Sequence, residues 1–132
     1  MRVFADTSAL HVLLDADDAD HDAVTRTWMQ LRESESVLTT TNYVLVEALS
    51  LCQRRLGMAA ARVLTEDLTP LLQIEWVSRE THAAGTAAML AANRRDLSLV
   101  DCVSFEAMRR LGIRRAFALD EHFREQGFEV MP

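Results

Sequence analysis

Four acidic residues, Asp6, Glu47, Asp101 and Asp120, fall where a chain can aim carboxylates into one site. Asp6 closes the apolar run Val3–Ala5, and Asp120 closes the run Ala116–Leu119. Both runs suit buried strands, and ligands of open parallel sheets gather outside the carboxyl ends of strands. An Asp between a strand and a helix is equally a favoured N-cap. Glu47 lies in YVLVEALSL, with Tyr43, Val44 and Leu51 as apolar helical neighbours. An ionised carboxylate on such a face needs a partner, either a shared site or an ion pair with Arg54 or Arg55, two turns away. Asp101, in DLSLVDCVSF, follows Ser98 by three residues, so the two can form a variant capping box. Apolar Val100, Cys102, Val103 and Phe105 surround it, and Ser104 is placed to hydrogen-bond the same site. If the four carboxylates converge, their repulsion must be relieved by protons or a cation, and a hard divalent ion such as magnesium or manganese suits an all-oxygen set.

Other candidates carry less chemistry. DADDADHD, residues 15–22, has the acid density of a calcium loop but lacks the glycine at the sixth position and the glutamate at the twelfth, and reads as a solvated turn. His11, His21, His82 and His122 share no ligand spacing, and His122 reads as a structural contact in the turn ALDEHF. Cys52 and Cys102 lack the spacing of a zinc site or disulfide framework and read as reduced packing residues. The two tryptophans read as core or dimer surface.

The elements that position these acids can be read from periodicity. A strand at Val3–Ala5 leads into a helix over SALHVLLD, and Val24, Trp28 and Leu31 mark a second helix from Asp20. Val37–Leu38 opens a strand before the threonine run, and Thr41 can cap a helix over Asn42–Leu56 that Gly57 ends. MAAARVLTEDL is helical until Pro70, and Ile74–Val77 is a third strand. Ser78 can cap a helix running to about Arg94, and Ser98 one over Leu99–Leu111 closed by Gly112. Ala116–Leu119 is a strand, one helical turn follows Asp120, and a last strand lies near Phe128–Val130. This alternation predicts one α/β domain over residues 1–132 with a central, mainly parallel sheet covered on both faces.

Hydrophobic residues at 49% and charged residues at 26% exclude a disordered or fibrous chain. At 132 residues the chain can bury roughly two thirds of its unfolded surface without staples. The N-terminal apolar run is too short for a signal peptide or a membrane span, so a cytoplasmic location is expected. The net charge of −6 weighs against a general nucleic-acid binder. All 14 basic residues are Arg, however, with adjacent pairs at 54/55, 94/95, 109/110 and 114/115, and the guanidinium fork matches phosphate oxygens. Plain solubility and compensation of helix ends explain the same pairs.

FADTSAL, NYVLVEAL, DLSLVDCVSF and FALDEHFREQGF together resemble the four motif regions of PIN domains, in order and across essentially the whole chain. The resemblance implies a PIN-like α/β/α sandwich and a ribonuclease in which Asp6, Glu47, Asp101 and Asp120 hold magnesium or manganese. Thr7 or Ser8 corresponds to the hydroxyl position beside the first acid. The similarity extends to VapC-type toxins, which implies a small antitoxin partner, a homodimer, and RNA products with 5′-phosphate and 3′-hydroxyl ends. Val100 stands where many relatives carry a hydroxyl residue, and the acidic surface is also a departure.

Two other classes compete. A phosphotransfer domain also places Asp at strand ends, but this chain has no Lys to meet an acyl phosphate, and Ser8 stands where an aspartate-nucleophile phosphatase has its second Asp. A binding module with the fold but no activity is the other, and retention of all four acids counts against it.

Overall fold

The computed structural model describes all 132 residues. Five strands, β1 (Arg2–Ala5), β2 (Val37–Thr41), β3 (Gln73–Glu75), β4 (Arg115–Phe117) and β5 (Glu129–Met131), form one sheet in the order β3-β2-β1-β4-β5. Every neighbouring pair is parallel, with Val3 opposite Leu38 and Arg115 and Phe4 opposite Thr39 and Ala116. Seven helices make the connections: α1 (Thr7–Leu14), α2 (His21–Glu33), α3 (Asn42–Arg55), α4 (Met58–Val63), α5 (Arg79–Ala92), α6 (Leu99–Leu111) and α7 (Glu121–Glu125). The result is the expected α/β/α arrangement with a wholly parallel sheet. No helix is long and apolar enough to cross a membrane.

The central strand explains itself. Val3, Phe4 and Ala5 are fully buried, as a parallel strand covered on both faces requires, and Phe4 packs near Phe123 of α7. β2 extends through the threonine run that the sequence reading left outside it. Thr39, Thr40 and Thr41 are buried, and two of them have partnered hydroxyls: Thr40 donates to the Ala5 carbonyl at 2.7 Å, and Thr41 accepts from the Val44 N–H to cap α3. A β-branched hydroxyl residue fits a strand once its oxygen has such a partner.

β3 is shorter than Ile74–Val77 because Val77 leaves the ladder and donates its N–H to the Asn42 side chain at 2.8 Å. β4 stops at Phe117, before Leu119, for a similar reason: the Leu119 N–H donates to the Ser8 hydroxyl. After α4 the helix loosens into a π-helical turn (Leu64–Leu68) and a 3-10 turn (Thr69–Leu71) around Pro70, where the proline ring ends regular hydrogen bonding. The segment 15–20 is a turn in which Asp15 and Asp18 accept backbone N–H bonds from Asp17 and Asp20. α5 packs tightly on α6 because residue 85 is glycine: a Cβ there would lie 3.1 Å from the Val103 Cα. Cys52 and Cys102 are both buried free thiols.

Candidate active site at the carboxyl edge of the sheet

Because all strands run the same way, the ends of β1 and β4 bring Asp6 and Asp120 to one edge, and the start of α6 adds Asp101. Each of these carboxylates is also a cap. Asp6 caps α1, with Oδ2 accepting from the Ser8 N–H at 3.2 Å and the Ser8 hydroxyl at 2.6 Å. Asp120 caps α7, with Oδ1 accepting from the His122 N–H at 2.9 Å. Asp101 and Ser98 form a reciprocal capping box, with Asp101 Oδ2 accepting from the Ser98 N–H at 3.2 Å. In all three, one oxygen is committed to the backbone and the other has no protein partner. Capping and site-building are therefore compatible: the cap fixes the rotamer and leaves the second oxygen for a ligand.

The electrostatics record the crowding. Asp6 is 3% exposed, and burial pushes its pKa up to about 7 against the hydrogen bonds from Ser8, with repulsion from Asp101 and Asp120 adding to the rise. Asp101 is raised chiefly by burial, opposed by the Ser98 N–H and reinforced by Asp120. Ser8 ties the two strand ends together, since its hydroxyl donates to Asp6 and accepts from the Leu119 N–H at 2.9 Å.

His122 joins this group although the sequence reading gave it only a structural place. Its Nδ1 lies 2.9 Å from Asp120 Oδ1 and 3.6 Å from Asp101 Oδ2, though not aligned for a hydrogen bond, and its Nε2 meets Asp96 Oδ2 at 3.2 Å. Asp101, Asp120 and His122 can present ligand atoms within 4.8 Å of one another. Burial opposes the charging of the imidazole, but the carboxylates of Asp96, Asp120 and Asp101 outweigh it and raise the His122 pKa. Both ring nitrogens face carboxylates, an environment that suits the imidazolium form. Asp96 is itself fixed by the Arg94 guanidinium, which also bridges to Glu125. The only sequence signal for His122 was its place two residues after Asp120; that for Asp96 was absent.

Glu47 stands apart from the trio. With Asn42, Tyr43 and Val46 it lines one side of an open cleft of about 330 Å³, across from Val100, the residue preceding Asp101. The hydroxyl candidates divide. Ser8 is at the site, the Thr7 hydroxyl points away to the Val44 carbonyl at 3.5 Å, and the Ser104 hydroxyl is fully buried without a partner rather than bonded to Asp101. Arg54 and Arg55 make no ion pair with Glu47, whose carboxylate is left to the cleft.

Comparisons with known proteins give the family and the fold. Residues 3–129 match the PIN domain family. The chain is 34% identical over 132 residues to a curated relative described as the 23S rRNA-specific endonuclease VapC20, in two strains of Mycobacterium tuberculosis (CDC 1551 / Oshkosh and H37Rv), covering 98% of each sequence. Among solved structures it matches the crystal structure of Mycobacterium tuberculosis VapC20, described as a sarcin-ricin loop cleaving toxin, with a TM-score of 0.88 over 98% of this chain and 99% of that one.

Proposed function

The chain belongs to the PIN-domain family, and from that premise we propose that it is a metal-dependent endoribonuclease acting as the toxin of a toxin–antitoxin pair. The observation that carries the reading is the meeting of Asp6, Asp101 and Asp120 at one sheet edge, each with a spare oxygen. The family membership removes the phosphotransfer alternative, and the intact acid set argues against an inactive module.

The residues fit a hard divalent cation. The donors are carboxylate oxygens, and repulsion from Asp101 and Asp120 adds to the rise that burial gives the Asp6 pKa, a crowding that a divalent cation would relieve. Asp6, Glu47, Asp101 and Asp120 would hold magnesium or manganese, with His122 beside them. When bound, the ion supplies Lewis acidity toward the phosphate and the attacking water. The chain's own residues do the rest. The caps on Asp6, Asp101 and Asp120 hold the carboxylates in one orientation, and Ser8 keeps the ends of β1 and β4 at fixed separation. A water oxygen attacks phosphorus and the bond to the 3′ oxygen breaks, so the products carry 5′-phosphate and 3′-hydroxyl ends.

A small antitoxin is the proposed protein partner. An Arg of that partner would form bidentate bonds to the acidic cluster in place of the metal's charge. Its apolar portion would pack on exposed surface such as the groove of about 310 Å³ beside Leu49, Met58 and Ala61. A homodimer and a cytoplasmic location complete the proposal.

Sequencing RNA ends after expression of wild-type and Asp6→Asn protein tests the reading. New 5′-phosphate ends that vanish in Asp6→Asn are expected, and ribosomal RNA is the first substrate to inspect. Identical end profiles in the two strains would overturn it, as would cleavage that persists undiminished in excess chelator.

A further inference from the structure

Tyr43, Val46 and Glu47 are spaced i, i+3 and i+4 on α3, so they share one face of the helix. That face forms one wall of the cleft closed on the other side by Val100. Val46 is 66% exposed on this face, which it shares with an aromatic ring and a carboxylate proposed for the metal site. The ring is held in place: the Tyr43 hydroxyl is 2.6 Å from His82 Nδ1, and the two rings meet edge to face with centroids 5.8 Å apart. Asn42, another lining residue, is fixed through its Oδ1, which accepts from the Val77 N–H, and its amide N–H2 group makes no hydrogen bond within the protein. The cleft thus combines an oriented π-face, aliphatic walls and one free donor, with a volume at the small end of the range for ligand pockets.

We propose that this cleft holds an unpaired nucleobase of the RNA strand next to the scissile phosphate, with Tyr43 as its stacking platform and Asn42 reading its edge. The proposal rests on the ribonuclease reading above and adds the subsite that places the strand. Continuity is the first reason: Glu47 belongs to both the cleft and the acid set, so a strand with its phosphate at the acids has a neighbouring nucleotide beside Tyr43. The second reason is how the arginines are disposed. The arginines that begin β4 or end α6 lie toward the other edge of the sheet and several are engaged, Arg115 with Glu129, Arg110 with Glu106 and Arg109 with Gln126. Arg94, near the acids, is occupied by Asp96 and Glu125. Arg95, next to Arg94 in the same loop, makes no ion pair and is left to meet a phosphate, and a base seated on Tyr43 adds stacking to that contact, the usual means by which aromatic side chains read single-stranded RNA.

The test uses single-stranded RNA oligonucleotides carrying 2-aminopurine on either side of a cut mapped by the end sequencing, with calcium in place of magnesium to slow cleavage during titration. Wild-type protein should quench the probe at one of these positions. Tyr43→Ala should weaken binding about ten-fold and raise KM more than it lowers kcat. Tyr43→Phe should keep the quench, and Val46→Ser, at an exposed position that leaves the fold alone, should weaken binding several-fold. If cuts are mapped but Tyr43→Ala and Val46→Ser bind and cut as wild type does, the subsite is overturned and the ribonuclease reading stands. If those variants keep RNA binding but lose the product of a neighbouring small reading frame, the cleft is a protein-docking surface and the subsite is again overturned. If no Asp6-dependent cut is found at all, both readings fall together.

Discussion

Asp6, Asp101 and Asp120 form one wall of the proposed metal site, with an oxygen of each fixed by a backbone N–H, whereas Glu47 would form the other, on an open face of α3 beside Tyr43 and Val46 and across a cleft from Val100. The first wall is rigid because its geometry is made by strand ends and helix starts, which the sheet itself aligns. The second is set by a helix face with no hydrogen bond to hold its carboxylate. One wall stores unfavourable charge in a fixed arrangement; the other has freedom to adjust to what enters. A preorganised charged wall is where the loss of a single group costs most in rate, and an adaptable wall is where a loss is more readily compensated.

The sharpest way to break this contrast is to remove one charge from each wall. Asp6→Asn or Asp120→Asn should lower kcat/KM for RNA cleavage on the order of 10²–10³-fold, and added magnesium should not restore it. Glu47→Gln should cost less, roughly 10–100-fold, and should be partly recovered at high magnesium because the three fixed oxygens remain. Steady-state cleavage across a magnesium titration measures both. Equal, unrecoverable losses from the two walls would show that Glu47 is as fixed as the others and that the contrast is wrong.

Stability should divide along the same line. The Asp6 pKa is raised from 3.8 to about 7 in the folded state, so its contribution to stability is fully present below about pH 4 and is lost as pH rises through about 7. At pH 8 the metal-free protein carries a buried charge that Asp6→Asn removes while retaining an oxygen for Ser8. The variant should therefore be more stable there by on the order of 2 kcal/mol, seen as a Tm higher by roughly 5–10 °C. The advantage should shrink as pH falls toward 4, and magnesium should raise the Tm of wild type but not of the variant. A destabilised Asp6→Asn at pH 8 would mean that the carboxylate is held by its cap more strongly than burial opposes it.

The contrast also explains what could be read in advance. Asp6, Asp101 and Asp120 were legible because a carboxylate after a strand, or three residues into a capped helix, is fixed by local rules, and the parallel sheet then brings the three together. The alternation of strands and helices was legible for the same reason, down to Thr41, Ser78 and Ser98 as caps. Glu47 was visible as a lone acid on an apolar face, but its distance from the trio depends on how α3 packs against α6. The threonines of β2 were missed because their burial depends on a bond from Thr40 to Ala5, 35 residues away. His122 was read as a structural contact, but its meeting with Asp96 was not legible because the two are 26 residues apart and join through a loop that Arg94 holds in shape.

That loop provides the smallest and most selective probe of the rigid wall. Asp96 is exposed, outside the acid trio, and its pKa is lowered to about 2 by hydrogen bonds from Arg94 and His122. Asp96→Asn leaves every metal-site carboxylate in place but removes a negative charge facing His122 Nε2. Since that charge is among the causes raising the imidazole pKa, the His122 titration midpoint, followed by NMR of the ring protons, should move down. An imidazole that loses its proton at lower pH leaves Asp101 and Asp120 with less compensation, so cleavage should fall only a few-fold, with the loss greatest on the alkaline side of the profile. A purely structural role for Asp96 predicts something else: a lower Tm from the loosened Arg94 loop, an unmoved His122 midpoint and an unchanged pH profile. The first pattern would make the imidazolium a working part of the charged wall; the second would confine that wall to its three capped carboxylates.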